Sequence, residues 1–152
     1  MLKAKSFYKE IAEKYEKISG RDYKCNESYR TQDADKIMVI AGSAAGTAKV
    51  VVDKLREKGE KVGLVKINLF RPFPHKEIAD ALRKAKEIFV LDRAQSIGTY
   101  PPFYSEVINS LFQISTTQYQ VQSYIYGLGG RDIFQKQIED VFEGKAENHY
   151  LT

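Results

Sequence analysis

The 152-residue chain is 43% hydrophobic and carries 24 Lys+Arg against 20 Asp+Glu, a formal charge of +4, and it is long enough for one domain that buries most of its unfolded surface. Its charges are scattered along helix-like stretches, which argues against a nucleic-acid partner, and no apolar run reaches the length of a bilayer span or forms the core of a signal peptide. A cytoplasmic chain with no membrane partner is therefore expected, and Cys25, the only cysteine, excludes an internal disulfide, a multi-thiolate zinc site and an iron-sulfur cluster held by this chain alone.

Phe7, Ile11, Tyr15 and Ile18 recur at helical spacing and Gly20 follows as a stop, so residues 1–20 read as a helix that docks its apolar face. Residues 21–35 are polar and read as a connector, with Glu27–Thr31 able to form a short edge strand. The unalternating run Lys36–Ala41 predicts a strand covered on both faces. After Gly42–Thr47, the stripe Ala48, Val51, Val52 and Leu55 predicts a helix, Gly59 ends it, and Val62–Ile67 supplies the next strand. This is a βαβ unit.

Leu69–Pro74 follows as a junction. Pro72 and Pro74 forbid the strand's continuation and bias Arg71 and Phe73 toward extended backbone. A helix over Ile78, Ala81, Leu82 and Ala85, begun at His75, leads to a third buried strand, Ile88–Leu91. Asp92–Pro101 reads as a loop, and Pro101 or Pro102 opens a helix that buries Phe103, Val107 and Leu111. A polar loop is expected at 113–118, then an edge strand over Tyr119–Tyr126, broken by Gly127–Asp132. Asp132 with Gln135 resembles a capping box for a last helix that buries Ile133, Phe134, Ile138, Val141 and Phe142. The α/β domain proper is thus expected over 36–143, with a loose tail over 144–152.

If the strands are parallel, the loops after them share the carboxyl edge of the sheet, where open α/β sheets bind ligands. That edge would hold Gly42, Ser43, Gly46 and Thr47, then Arg71, then Asp92, Arg93, Ser96 and Gly98, and last Gly127, Gly129, Gly130 and Arg131. Guanidinium forks and helix N-termini suit phosphate or carboxylate, so an anion site is one reading. Glycines are equally required where strands turn sharply into helices, and arginines often brace such loops or face another subunit. No catalytic residue is assigned, since neither a P-loop, a Ser-His-Asp set nor a Cys-His pair is present as a motif. His75 and His149 stand far apart, so no metal ligand is assigned either, and Cys25 reads as an inert thiol.

Taken together, Ala41-Gly42-Ser43 with Gly46-Thr47-Ala48, Val62–Ile67 with Leu69–Pro74, Val90–Arg93 and Tyr124–Asp132 resemble, in order and spacing, the alpha subunit of pyruvate:ferredoxin oxidoreductases, over roughly residues 20–142. The resemblance implies the transketolase C-terminal-like domain of a 2-oxoacid:ferredoxin oxidoreductase. That is a three-layer α/β/α fold with a mainly parallel sheet of about five strands and one short antiparallel strand, for which residues 26–31 are the candidate.

The implied enzyme, a pyruvate synthase, converts pyruvate, coenzyme A and oxidised ferredoxin to acetyl-CoA, carbon dioxide and reduced ferredoxin, using thiamine diphosphate, Mg2+ and iron-sulfur clusters. This chain carries too little of that machinery to work alone. By the resemblance it is a domain fragment of the alpha subunit, inactive in isolation and binding no cofactor by itself. Its partners would be the remaining domains and subunits of the oxidoreductase, with ferredoxin for the whole enzyme. The alternative is an anion-binding module for coenzyme A or phosphate.

Overall fold

The computed structural model describes residues 3–113 and 119–151. The elements run α1 (Ala4–Ser19), β1 (Asn26–Tyr29), β2 (Lys36–Ala41), α2 (Ala44–Glu57), β3 (Val62–Ile67), α3 (His75–Leu82), β4 (Glu87–Asp92), α4 (Pro102–Phe112), β5 (Gln120–Tyr126), a 3₁₀ turn (Leu128–Gly130), α5 (Gln135–Phe142) and β6 (Tyr150–Leu151). They build one six-stranded sheet in the order β1-β3-β2-β4-β5-β6. β1 pairs antiparallel with β3, Asn26 opposite Ile67, and every other pairing is parallel.

The unalternating strands have the burial that their composition requires. Met38, Ile40, Leu64, Phe89 and Leu91 point to one face, where α2 and α5 cover them. Ile37, Val39, Val65, Ile88 and Val90 point to the other, under α3 and α4. The result is the three-layer α/β/α arrangement, with helices on both faces of a mainly parallel sheet.

Several expectations need correction. The sheet has six strands, because the tail is not loose. β6 pairs with the end of β5, Ile125 donates its N–H to the His149 carbonyl at 2.7 Å, and Leu151 is buried. β5 is accordingly not an outermost strand. α2 starts at Ala44, so Gly46 and Thr47 lie inside its first turns and not in the preceding loop. α5 starts two residues later than the Asp132/Gln135 pairing implied: Phe134 takes the cap position and its N–H donates to Gln137 Oε1 at 2.8 Å. Ala85 lies beyond the end of α3, although it is buried as its pattern required. The polar loop expected at 113–118 falls outside the described residues from 114 onward.

The crossovers carry one irregularity. α3 and α4 share a face on the steps from β3 to β4 and from β4 to β5, and α2 lies on the opposite face on the oppositely directed step from β2 to β3. Those three connections therefore have one hand, the right-handed one that twisted strands favour. α5 lies with α2, yet β6 extends the sheet in the β4-to-β5 direction. The last crossover has the other hand, and only a two-residue strand depends on it.

α1 departs from expectation in how it docks. It contains no buried residue, and Phe7, Ile11 and Ile18 are exposed. Ion pairs from Lys5 and Lys9 to Glu77, at 2.6 and 3.3 Å, hold it to the body. A cavity of about 400 Å³ lies beside it, bordered by Tyr8, Ala12, Tyr23 and Cys25 among others.

Candidate functional site at the carboxyl edge of the sheet

Order β3-β2-β4 places the topological switch between β2 and β4, whose outgoing chains diverge to opposite faces. Gly42 leaves β2 with φ 70°, a left-handed conformation that glycine adopts without steric cost. Ser43 then takes the cap position of α2, exposed and with no side-chain hydrogen bond to the helix. Thr47 sits further along α2, half-buried.

On the other side of the switch, β4 ends on Asp92, whose side chain is 1% exposed. Its carboxylate oxygens accept the Phe103 N–H at 2.9 Å and the Tyr104 N–H at 3.1 Å. α4 opens on Pro101 and Pro102, neither of which can cap it, so Asp92 supplies from across the loop the acceptor that a helix N-terminus needs. Burial pushes the Asp92 carboxyl above its ordinary range, against the two amide bonds that act to lower it.

Arg93, the next residue, is exposed and turns back to β5. Its Nε makes a long contact of 3.5 Å with the Gly127 carbonyl. Gly127 is confined on this side, since a Cβ there would lie 3.0 Å from Arg93 Nε and 3.1 Å from the Arg131 carbonyl. Gly127, Gly129 and Gly130 all have left-handed backbone, at φ 66°, 68° and 81°, which folds the chain into the 3₁₀ turn and presents Arg131 to solvent. Tyr126 is buried beside this turn with its hydroxyl 3.5 Å from the Ala41 carbonyl at the end of β2. Burial raises its phenol and the Arg93 charge opposes that rise.

Of the predicted arginines, Arg71 stands apart from the other two. Arg93 and the Arg131 backbone meet at Gly127, whereas Arg71 pairs with Glu106 of α4 at 2.9 Å and stacks on the Phe70 ring at 3.9 Å. His75 joins Arg71's group. Its Nδ1 lies 2.9 Å from Ser110 Oγ and its Nε2 3.5 Å from Glu106. Serine, histidine and glutamate in contact suggest a nucleophile, but Ser110 is fully buried and donates its hydroxyl to the Glu106 carbonyl at 2.7 Å. The group ties α3 to α4 and offers no accessible nucleophile.

Sequence reasoning missed Asp92 as a cap, Glu106 as the arginine's partner and Tyr126 as the bridge between β5 and β2. Only Asp92 left a signal, the absence of any capping residue at Pro101-Pro102. The chain's residues do not fit the redox groups of the implied enzyme. Cys25 is buried, burial raises its thiol, and no group of three metal-ligating side chains occurs among the described residues. No step through a cluster or a metal-bound diphosphate is assigned to these residues.

Residues 34–138 match the family described as pyruvate:ferredoxin oxidoreductase core domain II. The chain belongs to that family. Pyruvate synthase subunit PorA of Thermotoga maritima is 44% identical over 152 residues, which is all of this chain and 38% of that subunit. The chain thus spans well under half the length of this curated relative. A 2-oxoglutarate:ferredoxin oxidoreductase from Magnetococcus marinus, solved with 2-oxoglutarate, coenzyme A and succinyl-CoA bound, superposes with a TM-score of 0.58 at 17% identity, over 82% of this chain and 20% of that one. A split-gene transketolase in an inactive beta4 tetramer superposes with a TM-score of 0.62 at 11% identity, over 83% and 43%. At these identities the two structures establish the fold, and it is the transketolase C-terminal-like fold. The core domain II match starts just before β2 and ends within α5, so it takes in the whole carboxyl edge and leaves α1, β1 and β6 outside.

Proposed function

We propose that this chain is the second core domain of a pyruvate synthase alpha subunit and that its own work is positional. The whole enzyme would oxidatively decarboxylate pyruvate with coenzyme A to acetyl-CoA and carbon dioxide and pass the released electrons to ferredoxin. Thiamine diphosphate, Mg2+ and iron-sulfur clusters would be held by its other domains and subunits, in the cytoplasm. The observation that carries this reading is the 44% identity to a pyruvate synthase subunit along the full length of the chain. The site supports a positional role: its buried carboxylate caps a helix, and Arg71 braces a helix pair while staying about half exposed, ready for a neighbouring domain.

The test is reconstitution. The alpha subunit carrying this domain, assembled with its partner subunits, should reduce ferredoxin in the presence of pyruvate and coenzyme A, and the same assembly without this domain should not. Reduction at an undiminished rate without it would overturn the proposal.

A second reading, an anion site for coenzyme A or phosphate, draws on the exposed Arg93 and Arg131 flanking the left-handed glycines Gly127, Gly129 and Gly130. Calorimetry with coenzyme A separates the two. Micromolar binding, about −8 kcal/mol, abolished by replacing both arginines, would establish the anion site over the purely positional role.

A further inference from the structure

α1 is turned away from the domain that carries it. An amphipathic surface helix normally buries its apolar stripe, yet here the half-buried residues are Lys5, Tyr8, Ala12 and Ser19, on the side facing the body. Phe7, Ile11 and Ile18 point outward, 58, 62 and 86% exposed. At 3.6 residues per turn they fall within about 40° of one another around the axis and form a ridge along one side of the helix, Phe7 and Ile11 a turn apart and Ile18 two turns further on.

The rotation of the helix is pinned by polar contacts. Lys5 and Lys9 grip Glu77, and the Tyr8 hydroxyl donates to the Lys24 carbonyl at 3.3 Å. Beside the ridge, Glu10 and Lys14 pair at 2.6 Å, and Lys3 and Lys17 fall on the same side of the axis at helical spacing. The three exposed apolar side chains suit an apolar groove on a folded protein, with the flanking lysines left at its polar rim.

We propose that the Phe7–Ile11–Ile18 ridge seats another folded domain of the same alpha subunit, one that offers it an apolar groove. This rests on the reading of the chain as part of such a subunit. The Thermotoga maritima subunit matches the chain along its whole length, α1 included, while the match occupies only 38% of that subunit. α1 also lies outside the core domain II match, which begins at residue 34. The helix therefore has a counterpart in that subunit, most of which lies beyond the match and is available to cover it.

The experiment uses the assembled enzyme with a photoreactive residue in place of Ile11. A cross-link to a peptide elsewhere in the same subunit supports the proposal. A cross-link to α1 of a second copy, to a different subunit, or to nothing overturns it. In the same assembly, Ile11→Glu should speed hydrogen exchange of the α1 amides by about tenfold or more while leaving the β2–β4 amides unchanged. Equal α1 exchange in wild type and variant also overturns it. Pyruvate-dependent ferredoxin reduction is read separately on the wild-type assembly, so absent turnover with a protected α1 would sink the enzyme reading and leave the docking intact.

Discussion

Asp92 is the residue whose removal should be felt furthest. Replacing it with alanine strips two acceptors from the first turn of α4, where the next available capping position is occupied by proline. Loss of an N-cap costs about 0.5–2 kcal/mol, and an amide left buried without a partner costs about 1–3 kcal/mol. Part of this is offset because the variant no longer buries a carboxylate, so the net loss should be roughly 2–3 kcal/mol.

For a chain of this length that corresponds to a fall in Tm of roughly 5–10 °C. Because burial raises the Asp92 carboxyl above its ordinary value of 3.8, the folded state holds the proton more tightly than the unfolded state. Between the ordinary and the raised value the wild type therefore loses stability as pH rises, and the variant has no such loss from this group. The penalty for Asp92→Ala should accordingly be larger at acid pH than at neutral pH. Urea unfolding at several pH values measures both quantities. A variant within about 0.5 kcal/mol of wild type throughout, or a gap that widens as pH rises, would refute the assignment of Asp92 as a buried cap.

Glu139 should show the opposite pH behaviour. Lys58 and Lys54, at 2.8 and 3.0 Å, hold its carboxyl at about 2, so its contribution is present above its ordinary value of 4.5 and is lost as pH falls toward 2. Glu139→Gln should flatten the acid limb of a stability-against-pH curve, which urea titration below pH 5 checks. Gly63→Ala should destabilise by about 1–3 kcal/mol, since its Cβ would lie 2.7 Å from the Arg30 carbonyl oxygen and 3.1 Å from Ala34 Cβ; a thermal melt reads the change. Arg71→Ala should cost this chain less than about 1 kcal/mol, as its ion pair with Glu106 is half exposed. In the full enzyme it should weaken subunit or domain association, measured by native mass spectrometry. Normal assembly with lost turnover would show that Arg71 contacts a ligand directly.

The inner strands were legible because their chemistry is local. Lys36–Ala41 and Val62–Ile67 appear with the bounds read from their apolar runs, and Ile88–Leu91 gains one residue at each end. Glu27–Thr31 marked the antiparallel strand to within two residues. β5 read as an edge because Gln120, Gln122 and Ser123 dilute its first half, and that half does lie beyond the reach of β6. Two residues, Tyr150 and Leu151, carry no periodicity by which β6 could be seen.

The α5 start was ambiguous because Gln135 and Gln137 both suit the reciprocal position of a capping box. The extended backbone at Phe134, φ −101° and ψ 156°, decides for the second. At the carboxyl edge, residue types and loop positions were readable, but partners were not. Asp92 reaches across to Phe103 and Tyr104, and Arg71 finds Glu106 on another helix. Such pairings depend on the relative placement of elements, which no spacing in the chain encodes.

Because Asp92 clasps the amides of Phe103 and Tyr104, the chain between them is a closed cassette with both ends fastened to the scaffold. Ile97 stands wholly exposed within it. Between Arg93, which touches Gly127, and the buried Pro101, a change of length should cost about 0.6 kcal/mol per doubling of a flexible loop. Grafting a segment of different length between Asp92 and Phe103 should therefore leave the fold standing, so that what Ile97 presents to solvent can be changed apart from the frame that holds it.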